Sequence, residues 1–165
     1  MILWSFAWAD GGERDYARAV AEATVVQRVY DGWYTALLVR GTRVDDALLA
    51  AQARRVDDVT GGAGTVPSLN TIVLAVSGQF KDELRFAADG STPWTAQVSS
   101  GGTPCGGLVV TEVKKPSPLQ FALYPHLTSW DKLVVLAPGD CPGGVADTLL
   151  LISARGRAEL RWAPP

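Results

Sequence analysis

Residues 24–40, TVVQRVYDGWYTALLVR, support two incompatible readings, and the choice decides where the helical part of this chain ends. Taken with the residues before them, Tyr16, Ala19, Val20, Ala23, Val26, Gln27, Tyr30, Trp33, Leu37 and Leu38 recur at helical spacing. Arg14, Arg18, Glu22 and Arg28 fall mostly off that stripe. Taken alone, Asp31-Gly32 between β-branched and aromatic residues is a hairpin dipeptide, which makes 24–30 and 33–40 two strands. The longer period favours a helix over 13–29 with a break at Asp31-Gly32, and leaves 33–40 open to helix or strand. Asp10, with Glu13 three residues later, has the form of a capping box at its start.

Upstream, MILWSFAWA alternates strictly. Ile2, Trp4, Phe6 and Trp8 share one face, and Leu3, Ser5, Ala7 and Ala9 the other. One large apolar face opposite a small one predicts a strand, ended by Asp10-Gly11-Gly12. Ala7 and Ala9 also fit the small-residue pattern of a signal cleavage site. The segment is short for that and has no basic residues before it, so we read it as ordered structure.

Downstream of Gly41, residues 42–59 predict a second helix, with Thr42 as cap and Val44, Leu48, Ala51 and Val59 as apolar stripe. The glycine-rich loop 60–70 then separates two halves of different character, a helical part over about 10–60 and a β-rich part over about 70–163. Strands are expected over 71–77, 107–113, 119–124 and 132–137. Hairpins are expected about Asp89-Gly90 and Arg155-Gly156. The class is α+β: one domain over 1–165, with an N-terminal strand and two helices packed on a largely antiparallel sheet.

A chain of 165 residues can bury a sizeable core. Its net charge of -2, from eleven arginines and four lysines against 17 acids, offers no general attraction for phosphate backbones or anionic membranes. Nucleic acid is therefore not expected as a partner. No run approaches the roughly 18–20 apolar residues of a membrane-spanning helix. Six tryptophans are many for this length, and tryptophan is enriched in buried anchors and interfaces.

Chemistry-bearing residues are few. Cys105 and Cys141 stand 36 residues apart with one histidine in the chain, too few ligands for a zinc site, and neither metal nor cofactor is expected. A cysteine nucleophile would need His126 as base and Asp131 to orient it. Cys141 in GDCPGG is the more accessible candidate, but no nucleophile motif surrounds it. A disulfide asks only that the start of strand 107–113 and the end of strand 132–137 meet. Closing that loop stabilises by roughly 4 kcal/mol in the chain-entropy model. It places the chain in an oxidising, extracytoplasmic setting, whereas free thiols would place it in the cytoplasm. The glycine runs TGGAGT and SSGGTPCGG lack the phosphate-loop pattern. Asp45-Asp46 and Asp57-Asp58 diverge on a helix and read as a solvated face.

An early helical third followed by a β-rich part with one disulfide resembles, in architecture only, the globular heads of type IV pilin-like proteins. Residues 10–18 are polar where the long apolar helix of those proteins continues, so no residue role is carried over. The expectation is a non-catalytic structural or interaction protein, a subunit of a larger extracytoplasmic assembly. Ile2, Trp4, Phe6 and Trp8 would dock on a protein partner, on another copy or on the chain's own core. The alternatives are a small Cys/His-dependent hydrolase or transferase, and a carbohydrate or small-ligand domain using Trp94, Trp130 and Trp162.

Overall fold

The computed structural model describes residues 10–61, 64 and 67–163. The strand expected over 1–9, with Ile2, Trp4, Phe6 and Trp8, lies outside the described residues. Among those described the fold is α+β. Its helices are α1 (Asp10–Glu22), α2 (Asp46–Thr60) and α3 (Pro118–Leu123). One sheet, in the order β1-β2-β3-β8-β7, contains β1 (Thr24–Asp31), β2 (Tyr34–Arg43), β3 (Ile72–Ser77), β7 (Val109–Val113) and β8 (Lys132–Ala137), and is antiparallel throughout. The other, in the order β10-β9-β5-β4, contains β4 (Phe86–Ala87), β5 (Trp94–Ser100), β9 (Thr148–Ser153) and β10 (Gly156–Arg161). A short β6 (Thr103–Pro104) pairs with β5.

The opening stretch takes the hairpin, and the helix expected to reach Val29 stops at Glu22. The Thr24 hydroxyl donates to the Val20 carbonyl at 2.6 Å and ends the helix. From there β-branched residues pair with β2 in register from Thr24↔Thr42 to Asp31↔Tyr34, with one shift after Val29. Gly32, at φ 60°, supplies the left-handed turn residue that a tight hairpin needs. Val20 and Val29 are both buried, one on a helix and one on a strand, so their shared spacing had no common helix behind it. The open segment 33–40 is strand.

Other expectations also change. Residues 119–124 form α3 rather than a strand, because Ser117 and Gln120 make a reciprocal capping box and Pro118 opens the helix. The segment about Asp89-Gly90 is not a hairpin, since Phe86 pairs with Trp94 in parallel. Asp45, not Thr42, caps α2 by accepting from Leu48 N at 2.8 Å. That helix buries Leu48, Gln52 and Val56 while Val59 is exposed. The hairpin near Arg155-Gly156 is present, with Ser153 opposite Gly156.

The elements stack in three layers. Along β3, Ile72, Leu74 and Val76 point to the second sheet, where they meet Trp94, Leu149, Leu151 and Leu160. Val73 and Ala75 point the other way, to Val20, Leu48 and Val56 of the helices and to Leu123. A continuous apolar run with no polar alternation is what a strand covered on both faces requires. Gly41 on β2 marks a close approach of the layers. A Cβ there would lie 2.5 Å from Leu160 Cδ2 and 3.2 Å from Leu74 Cδ2 and from Trp162 Cζ2. Gly41→Ala is therefore expected to destabilise by about 1–3 kcal/mol through overpacking. Denaturant melts would show it as a lower midpoint, and an unchanged midpoint would mean that the sheets separate freely.

Candidate functional site

Cys105 and Cys141 are bonded, with Cα atoms 4.3 Å apart. Register explains the pairing: Val109 faces Ala137, so the start of β7 and the end of β8 lie side by side. Gly106 N donates to Asp140 O at 2.8 Å, and Gly139 N donates to Gly106 O at 2.9 Å. Asn70 supports the same loop, donating from Nδ2 to Cys141 Sγ at 3.6 Å and accepting from Ala146 N at 2.7 Å.

The Cys141–His126–Asp131 set is not assembled. Cys141 has no thiol to ionise in this state. Asp131 immediately precedes β8 and Cys141 follows it, so a six-residue strand of roughly 20 Å separates them. The Asp131 carboxylate is occupied by Arg40 at 3.2 Å and by the backbone N and hydroxyl of Thr128 at 2.7 and 2.8 Å. His126 instead places Nε2 3.4 Å from the Thr42 hydroxyl and sets its ring at an angle to Tyr124. Burial, then the charge of Arg40, push its pKa below the ordinary 6.5, with Asp131 opposing. Among the described residues no three His, Cys, Asp or Glu side chains converge as metal donors.

Of the loop tryptophans, Trp94 and Trp162 are buried. Trp94 stacks on Phe86, and Trp162 donates from Nε1 to Ala23 O at 2.9 Å. Trp130 is exposed, and it belongs to a larger feature. Four of the ten exposed large apolar side chains among the described residues belong to the end of the molecule formed by the β1–β2 turn: Tyr30, Trp33 and Tyr34 flank the turn, and Trp130 lies beside Lys81, next to the Phe80 that meets Tyr34. Trp33 is 99% exposed, a state no packing requirement explains.

Three chain reversals hold this end. Arg155, in the β9–β10 turn, donates through Nε and Nη2 to the two Glu83 oxygens at 2.5 and 2.7 Å, and through Nη1 to Asp31 at 2.6 Å. Its guanidinium lies 3.5 Å from the Phe80 ring centroid, and Phe80 meets Tyr34 edge-on. These bonds hold Glu83 below the usual carboxylate range and push Arg155 up. Lys81 lies over Trp130 at 6.0 Å, while Arg28 lies over Tyr30 at 5.9 Å and donates to its hydroxyl at 3.2 Å. Asp131 ties the Trp130 turn to Arg40, which stands opposite Val26 in the β1–β2 register. The result is a basic-rimmed aromatic surface on a braced scaffold, whose carboxylates Asp31, Glu83 and Asp131 are engaged by Arg155 and Arg40. Sequence reasoning missed it, although VYDGWY carries its mark: a hairpin dipeptide flanked by aromatics places those rings on a turn.

No protein-family model, curated protein or solved structure matches this chain. What it does must be argued from its own residues.

Two outcomes follow from the geometry. Native protein is expected to take no iodoacetamide until it is reduced, when its mass should rise by two hydrogens and its stability fall by up to about 4 kcal/mol. Labelling without reductant would show a free thiol. Because the folded state favours neutral His126, the unfolded chain binds the extra proton, and stability should fall as pH drops below about 6.5. His126→Gln should flatten that slope in melts between about pH 7 and 5, and an unaltered slope would assign it to other groups.

Proposed function

We propose that this protein is a non-catalytic interaction domain of an extracytoplasmic assembly, and that the aromatic end is its recognition surface. The observation that carries the proposal is Trp33, wholly exposed on a hairpin whose turn Arg155 clamps to two other chain reversals. Exposed aromatics on a rigid support lose little entropy on docking, and Trp, Tyr and Arg dominate interface energetics. Arg28 and Lys81 add a cationic rim suited to a partner with acidic groups around an apolar pocket. The disulfide fits an oxidising compartment, and no helix of the described residues is long and apolar enough to cross a membrane. Enzymatic use of Cys141 loses its support with the thiol engaged. A glycan-binding alternative keeps only Trp130 of its three tryptophans.

A photo-crosslinking side chain at position 33, in the source cells, should give one discrete protein adduct. Tyr30→Ser or Trp130→Ser should reduce it at least about tenfold, a loss of one hot-spot contact. The same crosslinker at Gln97, in the other sheet, is the control. Identical adduct patterns from positions 33 and 97 would sink the proposal.

A further inference from the structure

Independently of the aromatic end, one sheet edge and one cleft on the same face are left uncovered by the described residues. Among the described residues strand β7 ends its sheet and pairs only with β8, whereas the opposite edge, β1, packs beside β10. In the β7–β8 register Val109, Thr111 and Val113 stand opposite Ala137, Val135 and Leu133. Leu133 faces the helix layer, so this whole row does. Val109 and Thr111 are exposed there. Beside them opens a cleft of about 610 Å³ walled by Leu119, Leu123, Leu133, Val135 and Ala137. The other face of β7 is closed, because Glu112 accepts from Phe86 N at 2.9 Å and pairs with Lys132 at 2.6 Å. A strand added at this edge would need large apolar side chains on one face and small ones on the other.

Residues 1–9 have that pattern, with Ile2, Trp4, Phe6 and Trp8 opposite Leu3, Ser5, Ala7 and Ala9. Their point of attachment is also suitable. The Tyr16 hydroxyl donates to the carbonyl of Leu123, a cleft-wall residue, at 2.6 Å, and Asp10 begins the same helix about 9 Å further on. Nine extended residues reach roughly 30 Å. We infer that the segment 1–9 of the same chain adds to the β7 edge and seats its aromatic face on the cleft. A tethered segment has an effective concentration in the millimolar range, which favours its own chain over a second copy. Main-chain bonds to 109–113 would supply the affinity, and the alternating tryptophans the register.

Hydrogen exchange on the full chain, on a chain lacking residues 1–9 and on Trp4→Ser/Trp8→Ser tests this. The amides of 109–113 that β8 leaves unbonded should exchange at least about tenfold faster in both altered chains, with the rest of the sheet unchanged. The substituted chain keeps the test valid if the shortened one fails to fold. Light scattering should find the full chain monomeric. Equal exchange in all three chains would overturn the inference. So would protection of 109–113 that disappears on dilution as a dimer dissociates, which would assign the segment to a second copy. Trp33→Ser should leave the 109–113 rates as they are, which separates this site from the aromatic end.

Discussion

Everything in this fold is arranged around a strand that has no solvent face. β3 carries IVLAV at five consecutive positions, all buried, so its sheet must be covered on both sides. The second sheet covers Ile72, Leu74 and Val76, and the helices cover Val73 and Ala75. Polar groups caught between the layers must then find partners, since an unpaired buried polar atom costs several kcal/mol in the worst case and about 1–3 typically. They do so locally. Thr24 and Thr42 share a hydrogen bond at 2.7 Å, and Tyr16 bonds the Leu123 carbonyl. The buried Arg43 donates to the carbonyls of Ala146 and Ala163, each at 3.0 Å. Burial pushes the Tyr16 hydroxyl up to about 12, so it stays a neutral donor at any physiological pH.

The helix layer does not reach the far end of the sheet it covers. Beyond it, Tyr30 and Tyr34 stand exposed on the strands, and the hairpin turn carries Trp33. Lack of room in the core is not the reason, because the same chain buries Trp94 and Trp162. The Arg155 clasp links exposed carboxylates, and such pairs contribute little net stability in water. Its effect is geometric: one planar guanidinium fixes the relative positions of the β1–β2 turn, the Lys81–Glu83 turn and the β9–β10 turn. A surface whose shape is fixed before contact loses less entropy on docking.

Much of this was legible in the sequence where period and turn chemistry agreed. The run 71–77, the strand 132–137 and the hairpin near Gly156 stand close to where patterning puts them. Two errors came from periodicity prevailing over local chemistry. At 13–29 a helical stripe continued by coincidence into a half-buried strand, although Asp31-Gly32 already carried the turn. At 119–124 five apolar and aromatic residues about Gln120 suggested a strand, while Ser117, Pro118 and Gln120 held the complete start of a helix. The aromatic end was half legible, in the rings around Asp31-Gly32. Arg155 was not, because nothing local tells an arginine in a tight turn which carboxylates, 72 and 124 residues away, it will meet.

How the sheets end shows why their sides differ. A sandwich of two sheets has four edge strands, each a template for unwanted pairing. Two of them, β1 and β10, pack beside each other, so close that a Cβ on Gly156 would lie 2.6 Å from Val29 Cγ1. A third, β4, is two residues long. On the remaining side closure is partly covalent: Cys105 follows β6 in one sheet and Cys141 follows β8 in the other, so the disulfide pins the layers where no strand pair does. It anchors the loop before β7 and leaves the strand itself with one partner among the described residues. Lys114, Lys115 and Pro116 follow that strand directly, and charge with proline is the usual means of blunting an edge. They sit past its end, however, while Val109 at its start is apolar and exposed. Among the described residues β7 is the one edge of the four protected at one end only, and an added strand there would cover the exposed Val109.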